Sequence, residues 1–385
     1  MSLVLVGVTL LLWALTTLRA VRAVRRTPVL RPAQTRREPA HLAVFIPVRD
    51  EREDLPRLLA SLHAQRDVRL DVVVFDDGST DGTSAWLDEQ ARSDGALQVL
   101  HGEADPPAGW CGKTHALTRA VEAYGGDASL WLFVDADVEL DPATLISLVT
   151  ELEQQRVDLV SPLPTLTLET FWARVLGPNF AAVAFLDYPP PRVNDPADPT
   201  AFFNGQILLV RREVFVDSGG FAAVRDEVLE DVALARRIKA RGGRLRVVNG
   251  QGLVRTRMYR TLREHVEGWS KNIFALLGSR RSRALFVALF VTLMSWLPLA
   301  CLIAALIAWG AGEPARAALA GAGYLLPVTA QIALRGLGHA APLYAPVAPL
   351  ASLIVAGTLL RAAWSSSPRS WKGRHYPTKS PEHQA

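Results

Sequence analysis

Acidic residues lie at or just after the ends of three short apolar runs in the N-terminal part of the chain. These residues are Asp50 and Glu51 after the run 42–47, Asp76 and Asp77 after the run 72–75, and Asp135 and Asp137 after the run 131–134. Short β-branched and aromatic runs with helical segments between them are typical of buried parallel strands in βαβ units. Ligands of such sheets bind beyond the carboxyl ends of the strands. The acidic positions therefore predict a site for a nucleotide and a metal ion at that edge.

The Asp-Ala-Asp triplet gives this site its chemistry. Residues two apart in an extended chain point to the same side, so Asp135 and Asp137 can face one ligand. Hard oxygen donors suit Mg²⁺ or Mn²⁺, which binds through one or two carboxylates together with substrate phosphates. Such an ion would neutralise the charge that develops on a departing diphosphate. A surface turn is the alternative, but the position after a buried strand favours the metal site.

The order of these segments resembles the signature of family 2 glycosyltransferases with the GT-A fold. The segments that carry the resemblance are 44–51 (VFIPVRDE), 76–83 (DDGSTDGT), 112–113 (GK), 135–137 (DAD), 204–206 (NGQ), 218–221 (SGGF) and 230–231 (ED). The segments 109–113 (GWCGK), 268–272 (GWSKN) and 371–376 (WKGRHY) further resemble membrane-bound glycosyltransferases of bacterial carotenoid and hopanoid-type lipid pathways. The resemblance implies an α/β, Rossmann-like GT-A domain with a mainly parallel sheet over residues 42–278.

The resemblance also implies roles for individual residues toward a nucleotide-sugar donor. The residues implied to bind it are Pro47, Asp50, Glu51, Asp77, Lys113 and Asp135. Carboxylates can accept hydrogen bonds from base N–H groups and ribose hydroxyls, and Lys113 would lie along the diphosphate as a point charge. Asp137 would hold the divalent metal.

Asp231 matches the general base of the family, with Glu230 beside it. A general base must reach the acceptor hydroxyl and have a pKa suited to removing its proton. A neighbouring carboxylate such as Glu230 raises the pKa of Asp231 by like-charge repulsion. The alternative is a plain helix N-terminus, where acidic residues are favoured by the helix dipole. The resemblance favours the base.

Three residues are candidates for the acceptor or sugar side of the site, namely Asn204, Gly205 and Trp269. Polysaccharide-polymerising members of the family carry Gln-x-x-Arg-Trp near the acceptor channel, whereas residues 265–269 here read HVEGW. Because the Gln and Arg are lacking, the sequence favours transfer of a single sugar. Trp269 would stack on the acceptor or sugar, or it would lie at a membrane interface as Trp often does.

Hydropathy divides the chain into five segments. We expect an N-terminal transmembrane anchor over 1–23, a basic linker over 24–41, the GT-A domain over 42–278, a membrane region of two or three spans over 284–364, and a basic polar tail over 365–385. The run 284–310 is uncharged and long enough to cross a bilayer. The runs 317–334 and 341–360 are weaker candidates because they are richer in Gly, Ala and Pro.

Charge predicts the orientation of these segments. Arginines follow the first apolar run and precede the second, so the positive-inside rule places the catalytic domain in the cytoplasm of a bacterial-type inner membrane. Three full C-terminal spans would then place the basic tail outside, so one of the last two is expected to be re-entrant or interfacial. The formal net charge of +4 suits an anionic leaflet. Since the basic residues cluster beside apolar runs, nucleic-acid binding is not expected.

The sequence therefore predicts a membrane-bound inverting glycosyltransferase. It would move one sugar from a nucleotide-sugar donor to a hydroxyl or carboxyl of a lipid acceptor, with a carotenoid favoured by the branch resemblance. The alternatives are a non-catalytic membrane protein that binds nucleotide sugars and a sugar-phosphate nucleotidyltransferase. The latter normally opens with a Gly-rich basic loop, whereas residues 47–51 (PVRDE) are mainly acidic.

Overall fold

The chain folds into two compact units in the computed structural model, which describes residues 2–33, 35, 37–102, 105–364, 369–371 and 374–376. The sheet unit comprises the described residues of 27–167 and 188–258. The helical unit comprises the described residues of 1–26, 168–187 and 259–385. Segments 168–187 and 259–278, which we expected within the GT-A domain, belong to the helical unit.

The described residues contain α-helices and β-strands that alternate through the sheet unit. The α-helices are α1 (Ser2–Arg26), α2 (Leu55–His63), α3 (Thr83–Ser93), α4 (Gly112–Ala123), α5 (Thr144–Gln154), α6 (Phe171–Asp187), α7 (Pro190–Val193), α8 (Arg212–Asp217), α9 (Glu230–Ala240), α10 (Leu262–Leu276), α11 (Arg281–Gly310), α12 (Pro314–Leu337) and α13 (Ala348–Trp364). Short 3₁₀ helices cover Phe221–Val224 and Pro342–Val347. The strands are β1 (Ala40–Val48), β2 (Val68–Asp76), β3 (Leu97–His101), β4 (Leu130–Val134), β5 (Val138–Leu140), β6 (Leu159–Leu163), β7 (Thr165–Leu166), β8 (Ile207–Arg211), β9 (Leu245–Asn249), β10 (Val254–Thr256), β11 (Arg369–Trp371) and β12 (Arg374–Tyr376).

Seven described strands form the main sheet in the order β3-β2-β1-β4-β8-β6-β9. Strands β3, β2, β1 and β4 are parallel, and β8 runs antiparallel to both of its neighbours. Every residue of β4 is buried, as expected for a continuous apolar run covered on both faces. Because β8 pairs Ile207 with Val134, the segment before β8 lies at the carboxyl end of β4. The mainly parallel α/β fold predicted from the sequence is thus confirmed.

A smaller sheet has the strand order β5-β10-β7. Its edge strand β5 begins at Val138, directly after the acidic triplet. Its central strand β10 pairs antiparallel with β5, which places Thr256 opposite Val138. Thr256 therefore lies one residue along from Asp137, although the two are far apart in the sequence. This sheet was not part of the sequence prediction.

Parts of the expected linker 24–41 belong to α1 or β1, and another part pairs with β9. Helix α1 continues to Arg26. Beyond it, Leu30 N donates to Asn249 O at 2.9 Å and Asn249 N donates to Pro28 O at 2.7 Å. These bonds, with a parallel bridge between Val29 and Asn249, attach the segment beside β9. The polar segment is therefore anchored to the edge of the main sheet.

The core of the helical unit brings α6 and α10 together with α11 and α13. Its buried residues include Val175, Leu176, Phe180, Val183, Ile273, Leu277, Ala284, Val287, Ala351, Val355 and Leu359. Apolar side chains on several faces of α6 find partners here, which accounts for its place outside the sheet unit. Within this core the ring of Trp269 stacks on that of Phe180, with centroids 4.9 Å apart.

A proline inside α6 explains a buried arginine in the helical unit. Pro178 has no N–H, so it cannot donate to the carbonyl of Arg174 four residues earlier. Arg335, which is only 8 % exposed, donates from Nη1 to that carbonyl oxygen at 3.1 Å. Since an unpaired buried carbonyl is costly, the contact of Arg335 satisfies the group that Pro178 leaves open.

Four helices in the described part of the chain are long and apolar enough to cross a membrane. They are Leu3–Arg26, Arg281–Gly310, Pro314–Leu337 and Pro342–Trp364, with mean hydropathy of 2.0, 2.3, 1.5 and 1.8. The lowest value belongs to the segment that contains the weaker predicted run 317–334. Most of the expected tail lies outside the described residues, apart from the antiparallel pair β11 and β12.

Candidate active site

The loops after β1 and β2 are fastened together by hydrogen bonds. Asp50 has a φ of +52°, a left-handed conformation that Asp adopts more readily than most residues. Its Oδ1 accepts from Thr80 N at 2.7 Å, and its N–H donates to Ser79 Oγ at 2.9 Å. Arg49 Nη1 donates to Asp77 O at 2.6 Å. These contacts hold Asp50 and Asp77 on one surface.

Asp76 organises the second loop from within the fold. Its side chain is 1 % exposed, and its Oδ1 accepts from Ser79 N at 3.0 Å and from Ser79 Oγ at 2.6 Å. Its Oδ2 accepts from the hydroxyl of Ser84. An Asp that bonds the chain a few residues ahead is a common turn device. The sequence analysis gave Asp76 no role of its own, and the structure makes it the support of Asp77.

Lys113 joins two of the acidic positions from the start of α4. Its Nζ lies 2.8 Å from Asp135 Oδ1 and 3.1 Å from Glu230 Oε1. It also donates to Gly205 O at 2.9 Å. Burial alone would lower the pKa of Lys113, but attraction to Asp135 and Glu230 outweighs it and raises the pKa. The lysine is therefore a fixed positive charge between α9 and the end of β4.

The two carboxylates of the acidic triplet have different surroundings. Asp135 pairs with Lys113, whereas Oδ1 of Asp137 is buried and accepts no hydrogen bond from any described residue. Burial, followed by repulsion from Asp135 and Glu51, raises the pKa of Asp137 to about 8. Asp137 thus has one buried oxygen without a hydrogen-bond donor among the described residues, and two other carboxylates lie near it.

Asp231 is the second residue of α9, and its carboxylate lies against the backbone of Gly205. Gly205 N donates to Asp231 Oδ2 at 3.2 Å, and Val232 N donates to Oδ1 at 2.8 Å. A Cβ at position 205 would lie 3.1 Å from Asp231 Oδ2, so glycine permits this close approach. Burial and then repulsion from Glu230 raise the pKa of Asp231 to about 7, against the opposing charge of Lys113.

A cleft in the sheet unit lies beside Lys113. Its lining includes the charged residues Lys113, Asp135 and Glu230 together with Gly205 and Phe203. Phe203 is almost fully buried and directly precedes Asn204, whose Oδ1 accepts from Gln206 N at 2.9 Å. The cleft is therefore lined by the predicted diphosphate lysine, by the first residue of the acidic triplet and by the first residue of α9.

Two residues that the sequence analysis did not assign complete the surroundings of Asp137. Gln206 Nε2 donates to Thr256 Oγ1 at 2.7 Å and to Asp137 Oδ2 at 3.4 Å. Arg257 N donates to Asp137 O at 3.1 Å. Gln206 is part of the NGQ segment that carries the family resemblance, and this was the feature of the sequence that could have pointed to it. Trp269, the predicted acceptor-side residue, lies on α10 of the helical unit.

The residues around Asp137 fit a divalent cation that takes part of its ligands from a substrate. Among the described residues, no group of three or more His, Cys, Asp or Glu side chains is placed to hold a metal by itself. Mg²⁺ and Mn²⁺ commonly bind through one or two carboxylates, with phosphates and water as the other ligands. The vacant Oδ1 of Asp137 and its raised pKa match this mode of binding.

Comparison with known proteins agrees with this geometry. Residues 43–233 match the sequence model described as Glycosyl transferase family 2. The 4,4'-diaponeurosporenoate glycosyltransferase of Staphylococcus aureus (strain USA300) is 28 % identical over 246 residues, and the match covers 63 % of this chain and 63 % of that protein. The protein of that name from strain NCTC 8325 / PS 47 matches equally. The matched region is therefore less than two thirds of these relatives.

A solved structure supports the same fold. The mannosyltransferase PcManGT from Pyrobaculum calidifontis, in complex with GDP-Man and Mn²⁺, superposes with a TM-score of 0.53 at 18 % identity. The superposition covers 95 % of this chain and 99 % of that one. The family model and these relatives carry the name of glycosyltransferases, which is one of the functions considered from the sequence. The chain therefore has a GT-A-like fold, and residues 43–233 of it resemble family 2 glycosyltransferases.

Proposed function

We propose that this chain is a glycosyltransferase that transfers one sugar, with inversion, from a nucleotide-sugar donor to a hydroxyl or carboxyl of a membrane lipid. The observation that carries the proposal is the position of Asp231. Its carboxylate is held at the Gly205 backbone in the same neighbourhood as Lys113 and Asp135. A buried carboxylate with a pKa near neutral suits the removal of an acceptor proton.

The donor would lie along the carboxyl ends of β2, β1 and β4. We assign base and ribose binding to Pro47, Asp50, Glu51, Asp77 and Asp135, and diphosphate binding to Lys113. The hydrogen bonds between the β1 and β2 loops support this assignment, because they present Asp50 and Asp77 together before any ligand arrives. Such preorganisation lowers the entropic cost of binding.

Asp137 would hold the divalent cation, Mg²⁺ or Mn²⁺. The cation, when bound, would neutralise negative charge on the diphosphate. Gln206 and the backbone of Arg257 hold Asp137 in place on the protein side. The presence of GDP-Man and Mn²⁺ in the PcManGT complex is consistent with this assignment.

The proposed transfer is a single displacement with an acceptor hydroxyl. Asp231 takes the proton from that hydroxyl, and the acceptor oxygen forms a bond to the anomeric carbon of the sugar. The bond from this carbon to the diphosphate oxygen breaks, and its electron pair leaves with the nucleoside diphosphate. Lys113 lies within contact of Glu230 and Asp135, where a positive charge would stabilise the departing diphosphate.

A lipid acceptor is supported by the helices and by the relatives. The described helices include four with the length and hydropathy of membrane spans. The relatives in Staphylococcus aureus are named for a diaponeurosporenoate, and we propose an acceptor of this carotenoid type. Phe171 on α6 is 45 % exposed and lies beside Trp172, which gives the helical unit an exposed aromatic surface suited to lipid.

Lipid analysis tests this function. Cells that express the chain should contain a glycosylated lipid that is absent from cells without the chain and from cells expressing the Asp137→Ala variant at the same level. Mass spectrometry of total lipid extracts, with a shift equal to one sugar residue, is the measurement. A product with several sugars would contradict single transfer. Efficient transfer to a water-soluble sugar without a lipid product would contradict the lipid acceptor.

We further propose that the sheet unit is cytoplasmic, where nucleotide sugars are available. Arg25 and Arg26 end α1, and Arg281 and Arg283 begin α11, so the positive-inside rule places both flanks inside. A cysteine introduced at Ser93, which is exposed on α3, should resist a membrane-impermeant thiol reagent in intact cells.

The labelling experiment needs a matched background. The chain has two cysteines, Cys111 and Cys301, and both are buried and unbridged. Both are replaced by alanine before Ser93→Cys is introduced. Strong labelling after permeabilisation shows that the new thiol is accessible on the folded protein. Equal labelling before and after permeabilisation would overturn the cytoplasmic placement.

A further inference from the structure

Gln206 contacts both ends of the acidic triplet. Its carbonyl oxygen accepts from Asp135 N at 2.9 Å, and its side-chain Nε2 donates to Asp137 Oδ2 at 3.4 Å. The same Nε2 donates to Thr256 Oγ1 at 2.7 Å. The contact with Asp135 comes from the backbone, so of the two acidic residues the side-chain amide of Gln206 contacts only Asp137.

The shorter hydrogen bond, to Thr256, fixes the position of the Gln206 amide, and the longer one reaches Asp137. Thr256 is 1 % exposed and lies in β10, where pairing with Val138 sets its position. A separation of 3.4 Å is at the long end of a hydrogen bond, so the contact orients Asp137 Oδ2 rather than binding it strongly. The other oxygen, Oδ1, is left without a donor among the described residues.

A neutral donor at this position has a specific consequence. An amide carries no net charge, so it orients the carboxylate of Asp137 without neutralising it. A lysine or arginine in the place of Gln206 would compete with a metal ion for that negative charge. Residues that orient a metal ligand in this way commonly change metal affinity by 10- to 100-fold when they are removed.

We propose that Gln206, anchored by Thr256, is the positioning residue that directs Oδ1 of Asp137 toward the divalent cation. This inference rests on the proposed function, because it assumes that Asp137 binds the metal. It adds a residue outside the acidic triplet, and the pairing of β10 with β5 is what brings its anchor Thr256 next to Asp137. The Gln206 side chain need not touch the donor or the acceptor.

Metal affinity tests the inference directly. The full-length protein in lipid nanodiscs is titrated with Mn²⁺, alone and with UDP or GDP, and free Mn²⁺ is followed by electron paramagnetic resonance. Gln206→Ala should weaken Mn²⁺ binding by about tenfold or more. Thr256→Val, which keeps the shape but removes the anchoring oxygen, should weaken it less and in the same direction. The double variant should be no weaker than Gln206→Ala, as expected for residues that act through one contact.

Controls separate this role from a general effect on folding. Gln98 is exposed on β3, and Gln98→Ala should bind Mn²⁺ like the unmodified protein. If Gln206→Ala does not fold, as judged by circular dichroism, Thr256→Val alone decides the question. Unchanged affinity in these variants, with binding lost in Asp137→Ala, would overturn the inference and leave the proposed function intact. Absence of Mn²⁺ binding by the unmodified protein would overturn both.

Discussion

Replacement of Asp137 by alanine is expected to lower sugar transfer by at least about 10³-fold, and a chelator is expected to have the same effect on the unmodified enzyme. Oδ1 of Asp137 has no hydrogen-bond partner among the described residues, and repulsion from Asp135 and Glu51 makes a bound cation favourable at this position. Loss of this carboxylate should remove the cation and with it the stabilisation of the departing diphosphate. The measurement is initial rate with the donor that supports lipid glycosylation, with and without EDTA.

A matched control makes the Asp137 experiment specific. Asp127 has a side chain that is 96 % exposed, and Asp127→Ala should retain nearly full activity. Addition of excess Mn²⁺ or Mg²⁺ after EDTA should restore the unmodified enzyme but not Asp137→Ala. Full activity of Asp137→Ala in the presence of chelator would show that the reaction proceeds without a metal at this position.

The site's main framework was predictable because it depends on local patterns. Buried parallel strands require continuous apolar runs, and residues 131–134 gave such a run directly before Asp135. Asp231 could be placed near a helix start because acidic residues are favoured there, and α9 begins at Glu230. Strand ends and helix starts are therefore visible in sequence, and the carboxyl edge of the sheet brings them together.

Contacts between distant segments were not predictable from those patterns. The bond between Gln206 and Thr256 depends on the pairing of β10 with β5, and three-residue strands have too little periodicity to be recognised. The assignment of α6 and α10 to the helical unit has a similar origin. It depends on contacts between distant residues such as the stack of Phe180 on Trp269. The sheet-unit segment 188–258 lies between these two residues in the chain.

Replacement of Asp231 by asparagine is expected to lower turnover by roughly 10² to 10⁴-fold with little change in donor affinity. Asparagine preserves the shape of the side chain and can still accept from Gly205 N, but it cannot take a proton from the acceptor. The measurements are the rate of lipid glycosylation and the affinity for the donor by isothermal titration. A loss confined to donor affinity would instead place Asp231 in the nucleotide site.

The pH dependence gives an independent test of the same base. Asp231 must be deprotonated to accept a proton, and burial and Glu230 raise its pKa to about 7. Activity should therefore fall as the pH drops through about 7, and it should be retained above that value. The residual activity of Asp231→Asn should lack this acidic limb.

The class of acceptor determines how far the Asp231 prediction extends. A hydroxyl must lose its proton during transfer, whereas a lipid carboxylate is already deprotonated near pH 7 because carboxyl groups ordinarily titrate near pH 4. With a carboxylate acceptor, Asp231 would have no proton to remove, and Asp231→Asn should then remain active. A variant that retains most of its activity and loses the acidic limb would therefore contradict the base assignment and identify the acceptor group as a carboxylate. A large loss of turnover would identify the acceptor group as a hydroxyl.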